Sequence, residues 1–374
     1  MRKRRGFTLI ELVVGTAVTM LTVTAVAAAF IAFSRDVYTQ EGMRGGQAGL
    51  REAAQSLARQ LRMAGYGLEP RYAFGLPTGW NGAAAGATEP NGSDRLLIRS
   101  RDLLFHAPVA SGGLTAGTVR VASLPVGLRR GQIVQVVCAG GGRVAYGRLR
   151  ADVDASSASV ALSLETATGT FPDLHAGLET LCATTAGLPV PAWLFKVDVY
   201  DYRVRLVDDD GDPASPGKPY LFRGHGLGAQ PDALGTPVAE GVEALRVTFV
   251  RQNGQVFTPD PAAEAPEYSD PPSHIRRTNN HPANTRAVRL GVVTRATLAD
   301  ATQRKFNQEA AIPAFDGVAE LPAPPGFRRF LYETTVFPRN LRSIELPLPQ
   351  YTSDTTTGAC QGTAPSDGLS CAGG

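Results

Sequence analysis

In this sequence of 374 residues, the densest cluster of side chains that could do chemistry consists of carboxylates. Four of them stand in the run DDDGD, which begins at Asp208. Alternate aspartates around a glycine can converge on Ca²⁺, a hard cation that takes roughly six to eight oxygen ligands. Asp208, Asp210 and Asp212 are therefore a candidate calcium site. The EF-hand spacing fails because its twelfth position is Pro219, and a solvated hairpin turn accounts for the same residues.

Residue types that carry catalysis are dispersed along the chain. No two histidines stand at metal-ligand spacing; they are His106, His175, His225, His274 and His281. The run GDPASPGK has one residue too many between its glycines for a phosphate loop, and a proline follows its lysine where serine or threonine is required. The sequence therefore predicts no enzyme and no cofactor other than the candidate calcium.

The charge balance gives no sign of a polyanionic partner. Lys+Arg number 37 and Asp+Glu 34, which leaves a net charge of +3. The arginine-rich stretches RLR, HIRR and GFRRF lack the interleaved aromatic residues of a nucleic-acid surface. No specific nucleic-acid partner is predicted.

The cysteines form an even set of four, Cys138, Cys182, Cys360 and Cys371, none of them in a C-x-x-C pattern. In a chain with an export-like N-terminus this favours disulfides over zinc or redox chemistry. Three pairings are possible. We expect the two local ones, Cys138–Cys182 and Cys360–Cys371, because sequence neighbours usually end up close in space.

Glu11 is a carboxylate inside an apolar run. The run covers residues 7–33 and follows the basic cluster RKRR. It exceeds the roughly 20 residues that a membrane-spanning helix needs, and it also has the form of a secretory signal peptide with AVAAAF as its cleavage site. Neither interpretation explains Glu11, because a charge inside such a segment costs on the order of 3 kcal/mol even on lenient insertion scales.

The stretch GFTLIEL resembles the type III signal of type IV prepilins and pseudopilins. The resemblance implies cleavage between Gly6 and Phe7 by a prepilin peptidase, N-methylation of Phe7, and a subunit-docking role for Glu11. Cleavage would create a cationic amine one helical turn from this carboxylate. During assembly, the glutamate of a neighbouring subunit can neutralise that amine.

One long helix is predicted over residues 7 to about 64. Its second half has apolar residues at helical spacing: Leu50, Ala53, Ala54, Leu57 and Leu61. Each glycine within residues 45–49 costs about 1 kcal/mol relative to alanine, so we expect a break or a flexible segment there. Gly65, Gly67 and the following Pro70 are the residues expected to end the helix.

The helix end LARQLRMAGYG, with its Arg-x-x-Gly-Tyr pattern at Arg62, Gly65 and Tyr66, resembles the PilW family of minor pilins. Four later stretches resemble that family in the same order: DYRVRLVDDDGDPASPGKPYLFRG, PVAEGVEALRVTFV, VRLGVVTRAT and RRFLYETTVFPRNLRS. Together the matches cover residues 1–70 and about 195–345.

Beyond residue 70 the pattern is that of β-strands separated by Gly, Pro, Asp and Asn. The fold class is therefore α+β and pilin-like, with a long N-terminal α-helix packed on an antiparallel-rich β head. The predicted division is a leader (1–6), a transmembrane and filament-core helix (7–33), its amphipathic continuation (34–66), and a β-rich head (67–374) with a variable insertion at about 71–194.

The function that the resemblance implies is that of a structural minor pilin, which primes or caps type IV pilus assembly. Its expected partners are other minor pilins, the major pilin, the prepilin peptidase and the inner membrane. The head would lie in the periplasm and later on the pilus at the cell surface. Two alternatives stay open: a J-like pseudopilin of type II secretion, and an adhesive or ligand-binding tip protein that binds through residues 71–194.

Overall fold

The computed structural model describes most of the helix and the head. The described residues are 8–75, 90–139, 143–165, 177–182, 190–208, 211, 217–225, 235–266, 273–299, 311–314, 319–342, 352–353 and 360–361.

The N-terminal element is the helix α1 (Leu9–Met63). Its apolar first half is exposed, and its second half lies on the head through the buried residues Gly42, Gly46, Leu50, Ala53, Ala54, Leu57 and Leu61. Two short helices follow, α2 (Leu178–Leu181) and α3 (Ile275–Thr278), with 3-10 turns at Pro70–Tyr72, Pro90–Gly92, Pro282–Asn284 and Arg339–Arg342.

The expected break at residues 45–49 is wrong, because α1 is continuous through its glycines. They lie where the helix touches the head most closely. A Cβ atom on Gly49 would stand 2.6 Å from the carbonyl oxygen of Glu240, and one on Gly46 would stand 3.0 Å from that of Arg295. The hydroxyl of Thr294 also donates to the Gly46 carbonyl at 3.1 Å. Close packing thus offsets the low helix propensity of glycine.

The first sheet is antiparallel and is built on two long strands, β2 and β7. Its strands are β1 (Phe74–Gly75), β2 (Leu96–Thr115), β3 (Thr118–Val121), β4 (Ile133–Cys138), β5 (Val144–Arg148), β6 (Val160–Ser163), β7 (Ala192–Val207), β8 (Lys218–His225) and β9 (Thr236–Glu240). The order is β5-β4-β7-β2-β3-β6, with β1 on β2, β8 on β7 and β9 on β8.

The distal half of this sheet closes into a ring. The amide of Glu165 donates to the Arg148 carbonyl at 2.7 Å and that of Arg150 to the Ser163 carbonyl at 2.9 Å, so β6 returns to β5. The six strands β2 to β7 therefore enclose their own core, which we call the ring lobe. That core includes Phe105, Ala107, Val119, Val121, Val134, Val136, Leu149, Leu162 and Leu194.

A second antiparallel sheet lies beside α1, in the order β11-β10-β12-β15. Its strands are β10 (Val242–Val250), β11 (Val256–Phe257), β12 (Ala287–Arg295) and β15 (Arg329–Val336). Short pairs are formed by β13 (Ala311–Ile312) with β14 (Leu321–Pro322), and by β16 (Thr352–Ser353) with β17 (Cys360–Gln361).

The main core joins α1 to both sheets. Leu50, Ala53, Leu57 and Leu61 of the helix pack with Tyr202, Val204, Leu221, Val242, Leu245, Val247, Phe249, Val288, Leu290 and Val292. Burial of each of the larger side chains contributes roughly 1.5–3 kcal/mol. The α+β class predicted from the sequence, a long apolar N-terminal helix before an antiparallel-rich head, is confirmed.

Candidate functional site

The first turn of α1 is fixed by a reciprocal pair of side chains. Thr8 is the N-cap residue, and its hydroxyl accepts from the amide of Glu11 at 3.4 Å. The Glu11 carboxylate accepts from the Thr8 amide at 3.0 Å and from the Thr8 hydroxyl at 2.9 Å. This capping box satisfies two amides that a helix start otherwise leaves unpaired, and it sets a negative charge at the positive end of the helix dipole.

The capping box is not among the features predicted from the sequence, although the Thr-x-x-Glu spacing of Thr8 and Glu11 is the signature of such a box. Gly6 and Phe7, the residues of the expected cleavage site, lie outside the described residues. Glu11 itself is exposed.

The apolar half of α1 stands clear of the head. None of the described residues from Leu9 to Phe33 is buried, and Leu9 (81%) and Phe30 (71%) are among the most exposed apolar side chains. About 33 residues precede the first buried residue, Gly42, which corresponds to roughly 50 Å of helix. In the described part of the chain, α1 is the one helix long and apolar enough to cross a membrane.

The hydroxyl groups within this apolar half are satisfied by the helix itself. Thr16, Thr19, Thr22 and Thr24 donate to the carbonyl oxygens of Val13, Gly15, Val18 and Met20 at 2.7–2.9 Å. A side chain that bonds to its own helix removes most of the cost of placing a hydroxyl in hydrocarbon. Glu11 is then the one ionisable group between Phe7 and Ser34.

A buried ion network joins three strands of the second sheet. Arg329 donates to both Glu243 oxygens, at 2.6 and 3.1 Å, and an Arg295 nitrogen lies 3.5 Å from the same carboxylate. Burial lowers the pKa of Arg295, and Glu243 opposes that effect. The network ties β10, β12 and β15 together. No sequence motif marked it, because these residues meet only through the strand registers.

The ring lobe carries the Cys138–Cys182 disulfide, which is the first of the two expected pairs. The second pair, Cys360–Cys371, lies outside the residues whose side chains are described. Near the disulfide is a cavity of about 360 Å³, lined mainly by small and apolar residues of β2 and of residues 190–192, with Glu179 as its one charged lining residue.

The candidate calcium residues are only partly described. Asp208 accepts from the amide of Gly211 at 2.8 Å, as in a turn capped by its first aspartate. Asp210 and Asp212 lie outside the described residues. Among the residues that are described, no group of three or more His, Cys, Asp or Glu is arranged to hold a metal ion. His106, His225, His274 and His281 stand on separate elements, and His175 lies outside the described part.

Comparison with known proteins bears on the N-terminus. Residues 1–27 match the family described as the prokaryotic N-terminal methylation motif. The fold comparison gives a type IV-like pilin from Thermus thermophilus, at 15% identity and a TM-score of 0.29, over 79% of this chain and 97% of that one. A search of curated proteins gives no match.

The chain therefore combines a prepilin-type methylation motif with a long apolar helix and an antiparallel-sheet head.

Proposed function

We propose that the chain is a minor pilin of the PilW type, which takes part in priming or capping type IV pilus assembly. The observation that carries the proposal is the methylation motif over residues 1–27, continuous with an apolar helix that the head leaves uncovered. The leader 1–6 is removed by the prepilin peptidase, which cuts between Gly6 and Phe7. Phe7 then becomes the N-methylated first residue.

Residues 7–33 hold the protein in the inner membrane before assembly and then join the filament core. The threonine hydroxyls support this placement, because they hydrogen-bond to carbonyl oxygens of the same helix and so leave few unpaired polar groups in the hydrocarbon. The head lies in the periplasm and later on the pilus. Other minor pilins and the major pilin are the partners.

Glu11 docks the subunit onto its neighbour. Before assembly, its carboxylate is held by Thr8 in the capping box, a partner that carries no charge. A neighbour's N-terminal amine offers the carboxylate an opposite charge in a low-dielectric setting, where such a pair gains most. The exchange from the capping hydrogen bonds to an ion pair then favours the correct register.

The experiment that tests the proposal is the intact mass and N-terminal residue of the protein, from cells with and without their prepilin peptidase. A mature chain that begins at methylated Phe7 only when the peptidase is present supports the proposal. A chain that begins near Phe30 would instead identify an ordinary signal peptide and overturn it.

The Glu11→Gln variant separates processing from docking. Glutamine retains the capping geometry, because Gln serves as well as Glu at the third position of a capping box, but it loses the charge. We expect cleavage at Gly6 to continue and incorporation into pili to be lost. Normal incorporation of the variant, measured by immunoblot of sheared pili, would contradict the docking role.

Deletion of the gene distinguishes the two alternative functions from that of a minor pilin. A type II secretion pseudopilin would leave pili intact on deletion and stop secretion. An adhesive tip protein would leave pili present but without surface attachment; the cavity in the ring lobe is the feature that favours this second candidate. Loss of pili on deletion supports the minor pilin.

A further inference from the structure

Strands β2 and β7 separate at one end of the ring lobe. Their antiparallel pairing ends with Pro108 opposite Trp193. The chain that leads into β7 stays on the side of β4, because the Ala139 amide donates to the Pro191 carbonyl at 2.7 Å. The cavity of the ring lobe lies in the gap, since it is lined by β2 beyond Pro108 and by residues 190–192.

Strand β2 turns away from β7 because it bends onto β3. Gly112 has a φ of 65°, in the left-handed region that favours glycine. A Cβ atom on Gly113 would stand 2.5 Å from the carbonyl oxygen of Arg120 in β3. A side chain at either glycine would oppose the bend, so the gap is set by the local sequence.

The edge of β2 that borders the cavity has backbone groups available for pairing. The Pro108 carbonyl accepts from the Ala122 amide at 2.9 Å, on the side of β3. Successive residues of a strand direct their N–H and C=O groups to alternate sides, so those of Ser111, three residues further on, point towards the gap. In the described part of the chain, no strand pairing joins Ser111 to β7. An open strand edge of this kind is a template for an added strand.

Glu179 brings a negative charge to the same cavity. It is exposed, and it forms no ion pair with any residue that the structure describes. The short helix α2 that carries it is held on both sides: Leu178 is 1% exposed in the core of the ring lobe, and Cys182 is bonded to Cys138. The carboxylate is therefore fixed at the cavity and available to a cation.

We propose that the cavity binds an extended peptide segment of a partner protein, with one basic side chain. The segment pairs through its backbone with the edge of β2 at Ser111, and its lysine or arginine meets Glu179. Charge complementarity selects the basic residue, and the open strand edge selects an extended peptide. The apolar side chains of Val109 and Leu114 line the rest of the site, whose volume of about 360 Å³ is within the usual range for ligand pockets.

This inference goes beyond the proposed function and does not depend on it, because every residue of the site belongs to the ring lobe. The test titrates the full chain in detergent into the peptide Thr-Val-Lys-Val-Thr, amidated at its C-terminus and carrying an uncharged fluorescent label at its N-terminus. Its β-branched residues favour the extended conformation, and lysine is its one charge. Fluorescence anisotropy should show saturable binding.

Two variants of the chain test the role of the carboxylate. Glu179→Gln should weaken binding about fivefold, in line with a solvent-exposed ion pair. The matched control is Asp154→Asn, which removes an exposed carboxylate between β5 and β6 that does not line the cavity. This control should bind the peptide as the unsubstituted chain does.

Two variants of the peptide test the mode of binding. Replacing lysine by norleucine should weaken binding to the unsubstituted chain about fivefold, and this peptide should bind equally to the unsubstituted chain and to Glu179→Gln. Methylation of every backbone amide nitrogen keeps the lysine but removes the donors for strand pairing. The methylated peptide should not bind.

Three results would overturn the inference. The first is the absence of saturable binding up to about 1 mM protein. The second is undiminished binding of the methylated peptide, which would show that the basic side chain alone is recognised. The third is an equal loss with Glu179→Gln and Asp154→Asn, which would show general attraction to the charge of the lobe. Each would leave the proposed minor-pilin function as it stands.

Discussion

Asp94 and His281 are buried titratable residues whose pKa values are displaced in opposite directions. Burial raises the pKa of Asp94 to about 6, against the hydrogen bond that its carboxylate accepts from the Val247 amide at 2.8 Å. Burial lowers the pKa of His281 to about 4, and nearby Arg71 adds to the effect. The neutral form of each side chain is therefore the one that the fold prefers.

These two residues have opposite effects on stability in acid. As the pH falls from about 6 to 4, Asp94 takes up a proton in the folded chain before it does so in the unfolded chain. Acidification in this range therefore stabilises the folded state through Asp94. At His281 the unfolded chain binds the proton first, from about pH 6.5 downwards, so acidification destabilises the fold until about pH 4. The two contributions nearly cancel.

Substitution should uncover each contribution. As the pH falls from 7 to 4, the unfolding free energy of Asp94→Asn should fall by on the order of 2–3 kcal/mol relative to that of the unsubstituted chain. Over the same range, the unfolding free energy of His281→Gln should rise by a similar amount relative to that of the unsubstituted chain. Urea unfolding of the full chain in detergent at the two pH values measures both. Parallel pH profiles for the three proteins would contradict the assignment.

At the level of single residues, the sequence was informative where a motif is local. Glu11 stood out because a charge in an apolar run is costly, and the Thr8 cap could have been found by the same local reading. The contact of Arg329 with Glu243 could not, because it needs the register of three strands that are far apart in the chain.

Among the elements, α1 depends on its glycines for contact with the head. The carbonyl of Glu240 faces Gly49 so closely that any Cβ must displace backbone. Gly15, in contrast, has nothing within 4 Å of the position of its Cβ. The same substitution should therefore destabilise the head at Gly49 and leave it unaffected at Gly15.

We expect Gly49→Ala to destabilise the head by roughly 1–3 kcal/mol, the usual cost of overpacking, although alanine is the better helix former. Gly15→Ala should leave the unfolding of the head unchanged. Urea unfolding of the two variants in detergent, followed by circular dichroism, provides the comparison. Equal midpoints would show that close approach of backbone does not govern this contact.

The sequence predicted the helix and the long strands better than their arrangement. Stretches such as LFKVDVYDYRVRLV and GVEALRVTFV alternate apolar residues, and they became β7 and β10. The break predicted in the glycine-rich stretch is wrong because helix propensity describes an isolated helix. Gly46 and Gly49 are instead held in helical conformation by close packing against the head.

In the whole molecule, the core beneath α1 and the core of the ring lobe are separate. The Cys138–Cys182 disulfide belongs to the ring lobe and links residues 44 apart in sequence. Loop-closure entropy assigns such a cross-link about 4 kcal/mol. Its removal should act on the ring lobe and leave the core of α1 in place.

We expect the double variant Cys138→Ala, Cys182→Ala to lose about 2–4 kcal/mol in the ring lobe only. Trp193 of β7, which is 40% exposed, reports on this lobe by fluorescence once Trp80 is replaced by Phe. Circular dichroism of the helix reports on the other core. A single transition that shifts equally with both probes would show that the two cores unfold as one.

The closure of the ring could not be foreseen from the sequence, since Leu149 and Leu164 pair only after four other strands are in place. The insertion predicted at about 71–194 nevertheless includes most of the ring lobe. Its boundaries in the fold are different, because β2 and β7 run through both halves of the first sheet.

The chain enters and leaves the ring lobe at two adjacent positions, Arg101 and Val197, which are paired across β2 and β7. No described residue between them belongs to the core beneath α1, although Ile133 and Tyr146 pack against Leu68 and Tyr72, just beyond the end of the helix. Outside those contacts, the ring lobe can therefore vary in length and sequence over evolution while the packing of α1 against both sheets stays the same.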